Sequence, residues 1–114
     1  NIGRPAATSL VTVRGRLKDS SPAVRVQAAR ALCRMGEPAA ALPVLTEVLD
    51  SGEQWERLQA AIVLDEIGEQ ARPVTAALHS ALQPRAGLYA NGKYVVRVVN
   101  RALNQLEGTE RTVP

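Results

Sequence analysis

Apolar residues recur at helical spacing along this chain, and they form two kinds of stripe. The shorter kind comprises Leu10, Val13 and Leu17, then Leu42, Leu45 and Leu49, then Val74, Leu78 and Leu82. The longer kind has the spacing i, i+4, i+7, i+8, i+11 and comprises Val24, Ala28, Ala31, Leu32 and Met35, then Glu56, Ala60, Val63, Leu64 and Ile67, then Val95, Val99, Ala102, Leu103 and Leu106. Such spacing places a stripe on one helix face. The pattern predicts six helices arranged as three pairs.

The first two helix pairs share part of their sequence. The stretch VRVQAARALCRMGE, from Val24 to Glu37, returns 32 residues later as ERLQAAIVLDEIGE, from Glu56 to Glu69. Gly-x-x-Ala begins at Gly3, Gly36 and Gly68, and Gly108 closes the series. A period of this length indicates stacked units that bury their apolar faces against one another.

We therefore predict a single domain over residues 1–114. Its units cover about 4–36, 37–68 and 69–108, followed by a tail over 109–114. The sequence begins without an initiator Met, and we expect it to be a fragment of a larger chain. The segment Asp19-Ser20-Ser21-Pro22 provides capping side chains and a proline suited to a first helical turn.

The unit from Asp19 to Leu49 resembles a HEAT repeat of the short bacterial type, which has an Asp before the second helix, then Val-Arg, Ala-Ala, Ala-Leu and Gly-Glu. The resemblance implies an all-α, right-handed α-α superhelix of three helix pairs. It also implies a structural ladder in which Arg25 and Arg57 bond to the loop residues Asp19 and Asp50. In the third unit the leucine stripe places Val96 in the arginine column, with Arg97 one residue late.

A narrower resemblance covers Lys93 to Pro114, which is similar to the HEAT segment that follows the catalytic domain of some bacterial sulfatase-type hydrolases. It implies that any chemistry lies upstream, with a periplasmic or extracellular location for the parent. The sulfatase signature Cys/Ser-x-Pro/Ala-x-Arg is not matched by Cys33-Arg34-Met35-Gly36-Glu37. We expect this fragment to be non-catalytic.

The amino-acid composition argues against several kinds of ligand and partner. The chain has no Phe, one Trp and two Tyr, so Ala, Leu and Val must form its core, and we do not expect a large aromatic-lined pocket. No apolar run approaches the ~20 residues that cross a bilayer, so no membrane role is expected. No phosphate loop, dinucleotide fingerprint or zinc spacing occurs, so no cofactor is expected.

Isolated reactive groups offer little catalytic chemistry. His79 and Cys33 lie a unit apart, and an ordinary partly exposed histidine is the simpler interpretation of His79. The carboxylates Asp65, Glu66 and Glu69 lie close together and are of the type that binds cations or transfers protons. Without a His or Cys beside them, we interpret them as a solvated helix face, and we assign neither catalytic nor metal-binding residues.

The non-core row of the longer stripes bears on nucleic-acid binding. It carries the arginines Arg30, Arg34 and Arg101, with Ile62, Glu66 and Val98 between them. This interruption leaves no continuous basic track for a phosphate backbone, so nucleic acid is not the expected partner despite a net charge of +3. Ile62 either contacts another domain or chain or packs sideways between units.

The aromatic residues suggest an interaction surface. Trp55 and Tyr94 occupy the same repeat column just before the second helix, and Tyr89 lies in the long loop over residues 83–94, where Asn91-Gly92 predicts a turn. They either form an aromatic ridge, of the kind that recognition surfaces favour, or cover the turn between helices.

These features predict a HEAT-repeat scaffold that binds a protein partner or the upstream catalytic domain of its own chain. Its exposed end units would also permit self-association. The alternative is a protein like the bilin lyases or the alkyl-base DNA glycosylases, which are HEAT proteins with an aromatic or acidic cleft.

Overall fold

A computed structural model describes residues 7–51, 53–83 and 90–113. These residues contain no strand and form one 3-10 helix, Gly68–Val74, and six α-helices: α1 (Ala7–Arg16), α2 (Pro22–Arg34), α3 (Pro38–Ser51), α4 (Gln54–Glu66), α5 (Thr75–Ala81) and α6 (Ala90–Glu107). The predicted all-α solenoid of three helix pairs is confirmed.

The helices form two layers. The second helices make one layer, in which α4 contacts both α2 and α6. In the other layer the first helices α3 and α5 contact each other, and α1 packs against α2 at the end of the array. The molecule measures 45 × 32 × 18 Å, so it is one helix pair thick in its shortest dimension. A two-layer array of this kind leaves the outer face of each layer exposed.

The residues predicted to begin and end the helices are found at helix ends. Ser21 precedes α2, its hydroxyl accepts from the Val24 amide, and Pro22 occupies the first turn. Asp19 Oδ1 accepts from the Ser21 amide at 2.8 Å. Gly36, Gly68 and Gly108 follow α2, α4 and α6 with φ of 80°, 59° and 66°, a conformation that costs glycine little and ends a helix.

One continuous core lies between the two layers. It contains Leu45, Leu49 and Leu78 from the first helices and Leu32, Leu64 and Leu103 from the second helices, all buried. The alanine pairs Ala28-Ala29 and Ala60-Ala61 are also buried, and their small side chains let neighbouring helices approach closely.

The pattern of burial confirms that the third unit aligns with the others by its leucine stripe. Ala60, Ala61, Val63 and Leu64 in α4 are buried, and so are Val99, Asn100, Ala102 and Leu103 at the corresponding positions of α6. Arg97 is exposed, so the arginine column of the first two units has no buried counterpart here. Packing volume therefore fixes the register, and the single polar residue does not.

Two stripe assignments differ from prediction. Val24 is 37% exposed, whereas Val26, which was left out of the stripe, is fully buried. The reason is that Val24 lines an open groove beside α1, on a side of α2 that no other described helix covers. Val74 ends the 3-10 helix, where Pro73 lacks the amide that an α-helix would use, so α5 starts only at Thr75.

Candidate interaction surface

The outer face of the second-helix layer brings together most of the candidate surface residues. Helical spacing places Trp55, Ile62 and Glu66 on one face of α4, and Tyr94 and Arg101 on the corresponding face of α6. On α2 the same face carries Arg30 and Arg34. We call the outward-facing residues of α2, α4 and α6 the second-helix face.

The C-terminal half of the second-helix face is held by ion pairs between α2 and α4. Arg30 donates from Nε and Nη2 to the two carboxylate oxygens of Glu66, at 2.8 and 2.7 Å, and Arg34 Nη2 adds a bond of 2.9 Å. The hydrogen bond from Arg30 lowers the pKa of Glu66 below its ordinary value, with a smaller contribution from Arg34. A bidentate arginine fixes both position and orientation of the carboxylate.

A second ion pair joins α4 to α6. Arg101 donates from Nε to Asp65 Oδ2 at 3.0 Å, and its Nη2 binds the same oxygen. Asp65 Oδ1 is buried and has no hydrogen-bond partner among the described residues. The layer thus alternates in sign from α2, which is basic, to α4, which is acidic, to α6, which is basic again.

Three large apolar side chains of the second-helix face are exposed: Trp55 and Tyr94 near the N-terminal ends of α4 and α6, and Ile62 two turns after Trp55. Trp55 is 62% exposed, Ile62 41% and Tyr94 53%. The guanidinium of Arg97 lies over the Tyr94 ring, 5.9 Å from its centre, within the range of a cation–π contact. Aromatic and arginine side chains that remain exposed in this way are typical of recognition surfaces.

The helix bounds correct the predicted positions of the aromatic residues. Trp55 lies in the first turn of α4 and Tyr94 within α6, whereas both were expected just before these helices. Asn91-Gly92 lies in the first turn of α6, so the predicted hairpin-like turn is wrong, since helix formation overrides the local preference of the dipeptide. Tyr89 lies outside the described residues.

Comparison with known families decides the classification. A family model described as HEAT repeats matches residues 2–87. The chain belongs to the HEAT-repeat family. Comparisons with curated proteins and with solved structures give no significant match. HEAT repeats generally serve as protein-interaction scaffolds, and a HEAT domain is typically non-catalytic.

The arginines of the predicted HEAT ladder bond to main-chain carbonyls. Arg25 Nη1 donates to the carbonyl of Asp19 at 2.7 Å, and the buried Arg57 donates from Nε to the carbonyl of Leu49 at 2.8 Å. Each arginine therefore braces the chain just before its own helix, where carbonyls at a helix end or loop need donors. A ladder that includes the Asp50 carboxylate stays a prediction.

The potentially reactive side chains of this HEAT domain are either bonded to another side chain or buried. His79 Nε2 lies 2.9 Å from Glu107 Oε2, and this bond lowers the pKa of Glu107. Cys33 is buried, and burial raises the pKa of its thiol, which disfavours the reactive thiolate. Glu69 binds Arg72 through two bonds of 2.8 Å.

The described residues contain no group of three His, Cys, Asp or Glu arranged to hold a metal ion. Asp65, Glu66 and Glu69, which the sequence places close together, each face a different arginine partner or pair. No described helix is long and apolar enough to traverse a membrane.

Sequence reasoning missed the ion pairs between HEAT units. It placed Arg30, Arg34 and Arg101 among free surface residues and treated the acidic cluster as solvated. A partial signal was present, because Arg34 and Glu66 occupy the same column of adjacent second helices and have opposite charges. Arg30 and Arg101 share the column of Ile62, so their bonds to Glu66 and Asp65 cross between columns.

Proposed function

We propose that this HEAT domain is a non-catalytic protein-interaction module that binds a partner through the second-helix face. The observation that carries the proposal is the exposure of Trp55, Ile62 and Tyr94 on one face of adjacent helices. Burying such side chains on binding yields free energy from apolar area and from aromatic contacts.

The ion-paired half of the surface supports the same function. Arg30 is already oriented by Glu66, and Arg101 by Asp65, before any partner arrives. Since these side chains have lost much of their rotamer freedom in the free protein, ordering them on binding costs little entropy. The apolar side chains would then supply affinity, and the charged side chains would supply orientation and selectivity.

The finer proposal is that the partner is the catalytic domain of a bacterial sulfatase-type hydrolase, with this domain as its C-terminal accessory. It rests on the resemblance of Lys93–Pro114 to the HEAT segment of such enzymes. The aromatic side chains of α4 and α6 would contact the catalytic domain, and Tyr89, Arg34 and Arg101 would extend that contact. The parent enzyme would supply the nucleophile that this fragment lacks.

The test is a titration of the 114-residue chain with the catalytic domain encoded upstream in the same reading frame. Replacing Trp55 and Tyr94 together with alanine should weaken the complex at least about tenfold, since hot-spot residues contribute more than about 1 kcal/mol each. The matched control is Val11→Ala, which removes an equally exposed apolar side chain from α1. If the double variant binds as tightly as the wild type, Trp55 and Tyr94 are not part of the binding surface. If the wild-type chain does not bind the catalytic domain at all, the proposed sulfatase-type parent is wrong.

The alternative of a nucleic-acid partner has weaker support. Arg30 and Arg34 share Glu66, and Arg101 binds Asp65, so a phosphate group would have to compete with carboxylates already in place. Titration with duplex DNA at low and moderate salt checks this alternative. Salt-dependent binding that Arg30→Gln weakens would favour it over protein docking.

A further inference from the structure

An open groove runs along the outer side of α2, at the end of the array opposite α6. One part has a volume of about 360 Å³ and is lined by Val13 and Arg16 of α1 and by Val24, Ala28 and Ala31 of α2. A second part of about 310 Å³ shares Ala31 and adds Arg30 and Arg34. We call the two parts together the α2 groove.

The repeat itself indicates what kind of element fits the α2 groove. Ala31 is only half-buried, whereas its counterparts Val63 in α4 and Ala102 in α6 are each 3% exposed. Val24 is similarly exposed, although its counterpart Val95 is fully buried. Because α4 and α6 each follow another second helix in the layer, the groove is the surface that in later units is covered by a helix.

Charge indicates the chemistry of that helix. The charged residues that line the groove are Arg16, Arg30 and Arg34, and within the described part of the chain no carboxylate lines either part. Arg34 remains 62% exposed despite its bond to Glu66. Along the layer, basic α2 meets acidic α4, and acidic α4 meets basic α6. Continuing this alternation on the free side of α2 requires an acidic neighbour.

We propose that the α2 groove binds an amphipathic α-helix of a partner protein. Its apolar stripe packs on Ala28 and Ala31, and carboxylates on its flank pair with Arg16. This is the helix-in-groove mode of recognition, and small groove residues allow the close approach that the mode requires. The groove shares Arg30 and Arg34 with the second-helix face but contains none of Trp55, Ile62 and Tyr94. The inference goes beyond the proposed function, and it does not depend on binding through those three residues.

The probe is an 18-residue stapled helical peptide with leucines at i, i+4, i+7 and i+11 and glutamates on both flanks. Its matched control has lysine at every glutamate position. Fluorescence anisotropy with the full 114-residue chain should give about fivefold tighter binding for the glutamate peptide, since an exposed ion pair with Arg16 replaces a like-charge contact. Equal affinity for the two peptides overturns the proposal.

Paired variants locate the binding site. Ala31→Gln should block the groove and weaken the glutamate peptide about tenfold by overpacking, whereas Ala76→Gln on the exposed side of α5 should leave it unchanged. Arg16→Glu should weaken it about fivefold, and Lys93→Glu, which changes the net charge equally, should change it less than twofold. Because Arg16 and Lys93 are exposed, this second comparison remains valid if Ala31→Gln fails to fold.

Two other outcomes contradict the proposal. Unchanged binding in both Ala31→Gln and Arg16→Glu would place the peptide elsewhere. Sedimentation that shows a dimer disrupted by Ala31→Gln, without peptide binding, would assign the groove to a second copy of the chain. The Trp55 and Tyr94 alanine variant should bind the peptide normally, so failure here and failure of the proposed function are distinguishable.

Discussion

The two ends of the array differ sharply in how well their apolar stripes are covered. At the N-terminal end, Leu10, Val13 and Leu17 are only partly buried, and Val11 is 66% exposed. At the C-terminal end, the α6 stripe of Val95, Val99, Ala102, Leu103 and Leu106 is buried throughout. A helical apolar stripe therefore predicts which face is apolar, whereas its burial depends on what lies beside the helix.

At the C-terminal end, side-chain hydrogen bonds from α6 also hold the tail, and we call this set of bonds the seal. Asn104 Oδ1 accepts from the Arg111 amide and the Thr109 hydroxyl, and its Nδ2 donates to the Arg111 carbonyl, which also accepts from the buried Asn100. The tail is thus held against α6. Arg72 additionally donates to the Leu106 carbonyl at 2.9 Å, which satisfies an acceptor at the end of α6.

The largest expected contrast comes from truncating one leucine at each end. Leu103→Ala should lower the free energy of unfolding by about 2 to 5 kcal/mol, because it leaves a cavity in a closed core. Leu10→Ala should cost about 1 kcal/mol, because its side chain already lies partly in water. Urea denaturation of the two variants measures both values. Equal losses would show that the ends are equally covered.

A smaller effect is expected from opening the seal. Asn104→Ala removes three hydrogen bonds to the tail and should cost about 1 to 2 kcal/mol, of which better helix propensity returns a fraction. Its control is Gln105→Ala, an exposed neighbour on the same helix. Amide exchange at Arg111 should accelerate several-fold only in Asn104→Ala. A tail amide that exchanges equally fast in both variants and the wild type would argue against the seal.

The smallest effect on stability is expected from the ion pairs that join α2 to α4 in the middle of the array. Glu66→Gln should lower the free energy of unfolding at pH 7 by about 1 kcal/mol or less, because the carboxylate is about one-third exposed and solvent screens the pair. The pKa of Glu66 is lowered in the folded chain, so its contribution is complete above the ordinary pKa of 4.5 and is lost as pH falls through the folded value.

Denaturation at several pH values therefore checks the sign of this contribution. The difference between wild type and Glu66→Gln should be largest near neutral pH and should shrink progressively below about pH 4.5. The same direction holds for Glu69 and Glu107, whose pKa values are lowered by Arg72 and His79. A difference that grows with acidification would contradict the assigned pairing.

Much of the fold could be predicted from the sequence because the stripes carry redundant information. Five apolar positions fix the register of α6 even though Arg97 falls outside the arginine column. What failed was local: Val24 belongs to a stripe by spacing, but its burial depends on a neighbouring helix that spacing cannot supply. Asn91-Gly92 has strong turn preference, yet it lies within α6.

The candidate surface was predictable in its residues but not in its pairing. Trp55, Ile62 and Tyr94 are large apolar residues outside the core stripes, so their exposure follows from the pattern. The partners of Arg30, Arg34 and Arg101 depend on contacts between residues at least 32 positions apart. Such contacts follow from stacking geometry, which spacing within one helix does not encode.

Native-state amide exchange across the whole chain tests the central claim most directly, namely that each HEAT unit is sheltered by its neighbours. We expect the slowest exchange in α4 and α6, intermediate exchange in α2, and the fastest exchange in α1, whose apolar side chains are least covered. Equal protection of α1 and α6, or independent opening of α4, would contradict it.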